Sequence, residues 1–91
     1  MEMWAKLFES NGRQVLISKD TDDEDNPKLS IAVRIQGDEI AFGPCFSGEN
    51  AEEARDQLFD KANQEMADGF TQILIGCETP FEAAEALMNA A

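Results

Sequence analysis

The order of apolar and polar residues divides the chain into a strand-rich first half and a helical second half. Apolar residues alternate with other residues, at the period of half-buried β-strands, over four segments: 3–9, 13–19, 29–35 and 40–46. Asn11-Gly12, between the first two segments, is a dipeptide that a two-residue hairpin turn favours. Gln36-Gly37-Asp38 supplies a turn between the last two, and Pro44 indicates a strand end or a sheet edge. The sequence therefore predicts four antiparallel strands.

The first strand has two candidate faces. The alternation assigns one set of residues to the core face, namely Met3, Ala5 and Leu7. The other face then carries Trp4, Lys6 and Phe8, and we expect the last helix to cover it. An exposed aromatic anchor for a partner is the alternative interpretation of Trp4 and Phe8.

The stretch from Ser47 to Phe70 predicts one long amphipathic helix, over about residues 50–69. Its apolar residues recur every three or four positions: Ala51, Ala54, Leu58, Ala62, Met66 and Phe70. Either Ser47 or Asn50 is suited to the N-cap, and Gly69 is suited to the stop.

The last twenty residues predict a short strand or helical continuation, followed by a second helix. Residues 71–75 (TQILI) are rich in β-branched side chains and favour a fifth strand, although continuation of the helix competes with it. Thr79-Pro80 then begins a helix over about residues 80–90. Its expected inner stripe is Phe81, Ala84, Leu87 and Met88. The predicted fold is a single α+β domain over residues 1–91, with an antiparallel sheet of four to five strands and the long helix packed on it.

Charge narrows the possible partners. The chain has nineteen Asp and Glu against seven Lys and Arg, a net charge of −12. Binding to phosphate backbones or anionic membrane surfaces requires clustered cations, so we expect no direct binding to nucleic acid and none to membranes. A basic protein or nucleoprotein complex fits this charge, with the chain acting as a monomer or homodimer.

Two cysteines and the N-terminal residues indicate a compartment. Cys45 and Cys77 lack CxxC spacing, and we interpret them as small buried residues. The first ten residues lack the apolar run of a signal peptide. The sequence therefore predicts a cytoplasmic protein with reduced thiols.

The chemistry of most enzymes and metal sites is missing. The chain contains neither histidine nor tyrosine, which removes the commonest general base and the Ser-His and Cys-His nucleophile pairs. Neither GxxxxGK[ST] nor GxGxxG occurs. A calcium loop starting at Asp20 fails, because Asp25 stands where glycine is needed and Ile31 where the bidentate acid belongs. We expect no catalytic residue, no metal and no cofactor.

Two acidic segments remain as the candidate binding surface. One is the loop that follows the second strand, and the other is the acidic side of the long helix, where charges recur roughly every 5 to 6 Å along one line. A row of negative charges on a rigid rod also describes a phosphate strand. The alternative is an ordinary solvated surface. The predicted partner-binding residues are Asp22, Asp23, Glu24, Asp25, Glu49, Glu52, Glu53, Asp56 and Asp60.

The same two segments carry a resemblance. The DTDDED run at 20–25 and the GENAEEARDQLFD stretch at 48–60, in a small histidine-free α+β chain, resemble the acidic phage-encoded anti-CRISPR and anti-restriction inhibitors. The resemblance implies a stoichiometric inhibitor of a nucleic-acid-handling complex in the host cytoplasm. It covers size, charge and architecture and carries no functional residue over. The chain also resembles acidic immunity proteins that block basic nuclease toxins, and a self-associating assembly protein is the alternative from another class.

Overall fold

Four strands form one antiparallel sheet in the computed structural model, which describes residues 3–90. The strands are β1 (Ala5–Ser10), β2 (Arg13–Thr21), β3 (Pro27–Ile35) and β4 (Asp38–Phe42), in the spatial order β1-β2-β3-β4. At the first turn Asn11 and Gly12 have φ angles of 51° and 78°, the positive values that a type I′ hairpin requires. The four antiparallel strands and the first hairpin are confirmed.

The end of β4 is set by a close approach of two backbones. β4 stops at Phe42, before Pro44, which indicates a strand end or a sheet edge, so residues 43–46 of the predicted segment lie outside the strand. Gly43 follows with φ of 155°, and a Cβ there would lie 1.7 Å from the carbonyl oxygen of Leu29 in β3. Only glycine fits this position without moving the backbone.

The predicted long helix is wrong, because the segment forms two helices. They are α1 (Ala51–Lys61) and α2 (Gln64–Ile73), and Ala62 between them has extended backbone angles (φ −63°, ψ 125°). The side chain of Asn63 accepts a hydrogen bond from the N–H of Met66 at 2.9 Å, so Asn63 is the N-cap of α2. Lys6 Nζ donates to the carbonyls of Phe59 (2.9 Å) and Ala62 (3.1 Å), which satisfies the end of α1.

Residues 71–73 continue α2, so the fifth strand is wrong and its helical competitor is correct. A buried stripe at helical spacing explains the choice: Ala67, Phe70, Thr71 and Leu74. Gly69 lies inside α2 and does not stop it. The chain turns instead at Gly76, which has φ of 88°.

The first and the last helix differ in how their N-termini are capped. α1 begins after Asn50. The side chain of Asn50 makes no cap hydrogen bond, so the predicted capping box does not form. α3 (Pro80–Ala90) begins as predicted, and Thr79 Oγ1 accepts the N–H of Glu82 at 3.1 Å. The described residues therefore form an α+β fold with four strands and three helices.

One face of the sheet builds the core with the helices. β2 and β3 contribute fully buried Val15, Ile17, Leu29, Val33 and Ile35. α1 and α2 pack against this face, and α3 packs near β4. The helical side of the core is formed mainly by Phe59, Ala67, Phe70, Leu74 and Ala83.

The predicted facing of β1 is wrong. The two-residue turn pairs Phe8 with Val15 and Lys6 with Ile17, and Val15 and Ile17 are buried under the helices. Phe8 and Lys6 must therefore lie on the helical face, while Leu7 points to the other face and is 61% exposed. α1 and α2 cover this side of the sheet, rather than the last helix.

The second face of the sheet is uncovered by the helices of residues 3–90. The registers align side chains of all four strands into rows across it. The central row is apolar and consists of Leu7, Leu16, Ala32 and Ala41. We call this surface the open sheet face.

Two further expectations about burial are wrong. Phe81 and Met88, assigned to the inner stripe of the last helix, are 75% and 79% exposed, while Ala83 is buried in their place. Cys45 is exposed and Cys77 is half-buried, and both thiols are free. Phe81 and Met88 thus lie on one side of α3, as their spacing predicts, but that side faces solvent.

Candidate partner-binding surface

The loop between β2 and β3 is organised by Asp22. Its Oδ1 accepts the backbone N–H of Glu24 at 2.9 Å and that of Asn26 at 2.8 Å. Hydrogen bonds from the backbone N–H of Asn26, its side chain and the N–H of Glu24 lower the pKa of Asp22 below its usual value. Asp22 therefore closes the loop, and its carboxylate is largely committed to the chain itself.

The other three predicted acids of the loop lie at its tip. Asp23, Glu24 and Asp25 are all exposed, and Asp25 has a positive φ of 62°. Their carboxylates have no hydrogen-bond donor among residues 3–90. The turn that Asp22 closes thus presents three free charges to solvent.

The acids of α1 lie along one flank of that helix. At about 100° per residue, Glu52, Asp56, Asp60 and Glu53 fall within roughly a third of the circumference. Glu52, Glu53 and Asp60 are exposed, and Glu49 is exposed just before the helix. We call Glu49, Glu52, Glu53, Asp56 and Asp60 the acidic flank. The break at Ala62 limits α1 to about 16 Å, the length of roughly five phosphates of one strand.

Arg55 and Lys19 connect the acidic flank to the loop. Arg55 is only 5% exposed, and its Nη1 donates to the carbonyl of Asp20 at 3.0 Å, where the loop begins. Its Nε donates to Asp56 Oδ1 at 3.1 Å, and Lys19 Nζ lies 3.4 Å from the same oxygen. The structure therefore brings the two acidic segments side by side, and Asp56 serves as their internal tie.

Trp4 lies beside this tie; the sequence suggested it as an exposed aromatic anchor only as an alternative and did not include it among the predicted partner-binding residues. Its ring is 52% exposed, with Lys19 Nζ at 5.4 Å and Arg55 Cζ at 5.8 Å from its centroid. The hairpin register places Trp4 opposite Lys19, and Lys19 N donates to its carbonyl at 2.9 Å. Tryptophan is among the residue types most enriched at the energetic centres of protein interfaces.

Most cations of the chain face inward. Of the seven Lys and Arg, four bind partners within the fold. Lys6 holds the end of α1, Arg13 Nη2 donates to the carbonyl of Cys77 at 3.1 Å, and Lys19 and Arg55 bind Asp56. Because these four cations bind groups within the fold, the surface is more uniformly negative than the net charge alone indicates.

A second polar cluster joins the first hairpin to α2. Ser10 Oγ donates to Asp68 Oδ1 and lies 2.7 Å from Thr71 Oγ1, which accepts from Asn11 Nδ2 at 2.8 Å. Gln64 Nε2 donates to the same Asp68 oxygen at 2.9 Å. Ser10 and Thr71 are buried. With each hydroxyl bonded and closed to solvent, this cluster fastens the hairpin to the helix.

Residues 3–90 contain neither a cluster of metal ligands nor a membrane-spanning helix. No group of three or more His, Cys, Asp or Glu in this range is arranged to hold a metal ion. None of the helices in the described part of the chain is both long and apolar enough to cross a membrane.

Comparison with family models, with curated proteins and with solved structures found no match to this chain.

Proposed function

We propose that this protein is a stoichiometric inhibitor that binds a basic, nucleic-acid-handling protein or complex through the acidic flank and the 22–25 loop. The observation that supports it most strongly is that the cations nearest these acids bind groups within the fold. Lys19 and Arg55, which stand next to the acids, both pair with the carboxylate of Asp56, and Arg55 also donates to the backbone carbonyl of Asp20. The remaining carboxylates of the flank and loop are left without a neutralising partner among the described residues.

The geometry favours mimicry of a nucleic-acid strand. The exposed acids lie on a rigid helix and on a turn fixed by Asp22, so their spacing is set before binding. A groove lined by Lys and Arg would exchange contacts with phosphates for contacts with carboxylates of similar spacing. Exposed ion pairs contribute about 0 to 1 kcal/mol each, so several must form together. Trp4, half-exposed beside them, would supply the desolvated anchor.

The proposal is tested by affinity capture from nuclease-treated extract of the cells that express the protein. The test variant Glu52→Gln/Glu53→Gln/Asp60→Asn neutralises three exposed acids of the flank. Its control, Glu39→Gln/Glu65→Gln/Glu78→Gln, removes the same charge from exposed positions elsewhere. We expect the wild type and the control to retain nucleic-acid-handling proteins, and the flank variant to lose them.

Salt and competing nucleic acid provide the second half of the test. Captured proteins should be released between low and moderate salt, and also by added DNA or RNA, because both compete for the same cations. Capture that is indifferent to salt and to nucleic acid, or equal for both variants, would refute the proposed mode of binding.

A second candidate function, self-association, is favoured by the open sheet face. Three members of the apolar row, Leu7, Leu16 and Ala41, are exposed, and Lys28 and Arg34 lie on this face according to the strand register. The same registers place Glu9, Asp20 and Glu39 on this face, so its positive and negative charges nearly balance, unlike those of the acidic flank. An assembly role would use this face and leave the acidic flank in solvent.

A further inference from the structure

α3 turns large apolar side chains toward solvent. Phe81 and Met88 stand seven residues apart and so lie on the same side of the helix, while Ala83 on the opposite side is buried. Exposing two such side chains on one helix costs solvation free energy that a partner would recover on binding. This stripe is the most exposed apolar feature of residues 3–90.

The stripe borders two depressions in the surface. One, of about 380 Å³, is lined by Ile40, Ala41, Phe42, Ala84, Leu87 and Met88. The other, of about 280 Å³, lies at Phe81, Ala84, Glu85, Met88 and Asn89. Ala84 and Met88 line both, and the small side chain of Ala84 leaves a gap beside Phe81 and Met88. A helix of a partner fills such a gap with one side chain, in the manner of a knob entering a hole.

The charge around the stripe indicates which kind of partner would bind there. No Lys or Arg follows Lys61 in the sequence, whereas Glu78, Glu82 and Glu85 lie before and within α3. A second copy of the chain docked here would place these acids against one another, which opposes association. A cationic helix would pair with them. We propose that α3 and the adjoining edge of β4 bind a cationic amphipathic helix of a partner protein.

This apolar surface is separate from the acidic flank. It shares no residue with α1 or with the 22–25 loop, so a partner could occupy either surface while the other stays free. Apolar side chains of the partner helix would enter the gap over Ala84, and its Lys or Arg residues would reach Glu82 and Glu85. The binding would thus depend on both shape and charge.

A synthetic Leu/Lys peptide of about 15 residues, or four helical turns, tests the proposal directly. Its amphipathic sequence is compared with a scrambled peptide of the same composition, by titration calorimetry. We expect the amphipathic peptide to bind about tenfold more tightly than the scrambled one. Phe81→Ser or Met88→Ser should weaken its binding by about tenfold, because both remove apolar contact from the stripe.

The control variants separate this site from the other surfaces. Leu7→Ser removes a similarly exposed apolar side chain from the open sheet face, and it should leave the affinity unchanged. Ala84→Arg fills the gap and adds a positive charge beside Glu82 and Glu85, so it should abolish binding. Because Phe81, Ala84 and Met88 are exposed, these variants should fold, which far-ultraviolet circular dichroism verifies.

Three results would overturn the proposal. Equal binding of the scrambled peptide would mean that charge alone attracts it. Peptide binding that survives Phe81→Ser but is lost in Glu52→Gln/Glu53→Gln/Asp60→Asn would place the peptide on the acidic flank, in accord with the proposed function and against this site. Self-association that Phe81→Ser abolishes would identify a second copy as the occupant.

Discussion

Asp22 and Asp23 are adjacent residues of the same type, and the fold gives them different roles. Asp22 accepts two backbone N–H groups and holds the loop closed, whereas Asp23 points into solvent at its tip. The sequence marks both as acids in a polar loop and predicts both to bind a partner. The distinction depends on where the backbone N–H groups of Glu24 and Asn26 lie, which only the folded turn determines.

Asp68 offers a prediction about pH at the residue scale. Hydrogen bonds from Ser10 Oγ and then from Gln64 Nε2 lower its pKa below the usual 3.8. A lowered folded-state pKa contributes stability that is present above about pH 4 and is lost as the pH falls through the folded-state value. Asp68→Asn keeps an acceptor but removes the charge. We expect the variant to be less stable than the wild type at neutral pH, and the difference to shrink as the pH falls below the usual aspartate pKa of 3.8.

Urea unfolding at several pH values measures this difference. Comparison of the two proteins is needed because protonation of the other acids also relieves repulsion as the pH falls, and this opposing effect is common to both. Asp23→Asn, which loses the same charge at an exposed position, is the control for net charge. A stability difference between Asp68→Asn and the wild type that stays constant over the whole pH range would contradict the assignment.

The break between α1 and α2 leads to a prediction at the scale of the element. Asn63→Ala removes the side-chain oxygen that accepts the N–H of Met66, and it should lower the free energy of unfolding by about 1 kcal/mol. Asn50→Ala is the matched control, because Asn50 precedes α1 without a side-chain cap hydrogen bond. Its cost should stay within about 0.5 kcal/mol. Thermal or urea unfolding compares the two, and equal losses would show that Asn63 does not act as a cap.

Only one of the two causes of this break could be found in the local sequence. Asn63 is a favourable N-cap, but the apolar residues on both sides keep helical spacing, so one continuous helix fitted the pattern equally well. The second cause is Lys6, which reaches the carbonyls of Phe59 and Ala62 from a distant strand. Such long-range contacts are invisible to a local pattern. The predicted row of acids, from Glu49 to Asp60, ends before the break and lies along one flank of α1, so the error concerns the length of the helix and not the row.

The facing of β1 was predictable in principle. A two-residue turn at Asn11-Gly12 pairs Phe8 with Val15, and the strong alternation of β2 and β3 identifies their buried side. Alternation within β1 alone left two equivalent faces. For α3 the spacing of Phe81 and Met88 correctly indicates one side of a helix, but periodicity does not reveal whether that side meets the core or solvent. The alternating patterns of β2 and β3 resolved well because several buried β-branched residues shared one face.

At the scale of the whole molecule, three surfaces of different chemistry surround one small core. The acidic flank and loop are negative and rigid, the open sheet face has an apolar row among charges of both signs, and α3 presents an apolar stripe among acids. Electrostatic attraction to a basic partner weakens with salt, since the charges are screened beyond about 8 Å at physiological ionic strength. Apolar association between two like-charged molecules strengthens as the salt concentration rises, because salt screens their mutual repulsion.

Salt therefore separates the two candidate functions. Self-association through the open sheet face should strengthen as salt rises, because two molecules of net charge −12 repel at low ionic strength. Sedimentation velocity over a series of protein and salt concentrations measures it. Leu16→Glu places a charge in the middle of the apolar row and should keep the protein monomeric, whereas Phe81→Ser, on α3, should not. A protein that sediments only as a monomer at every salt concentration would eliminate the assembly function, and the acidic flank would then be the surface to pursue.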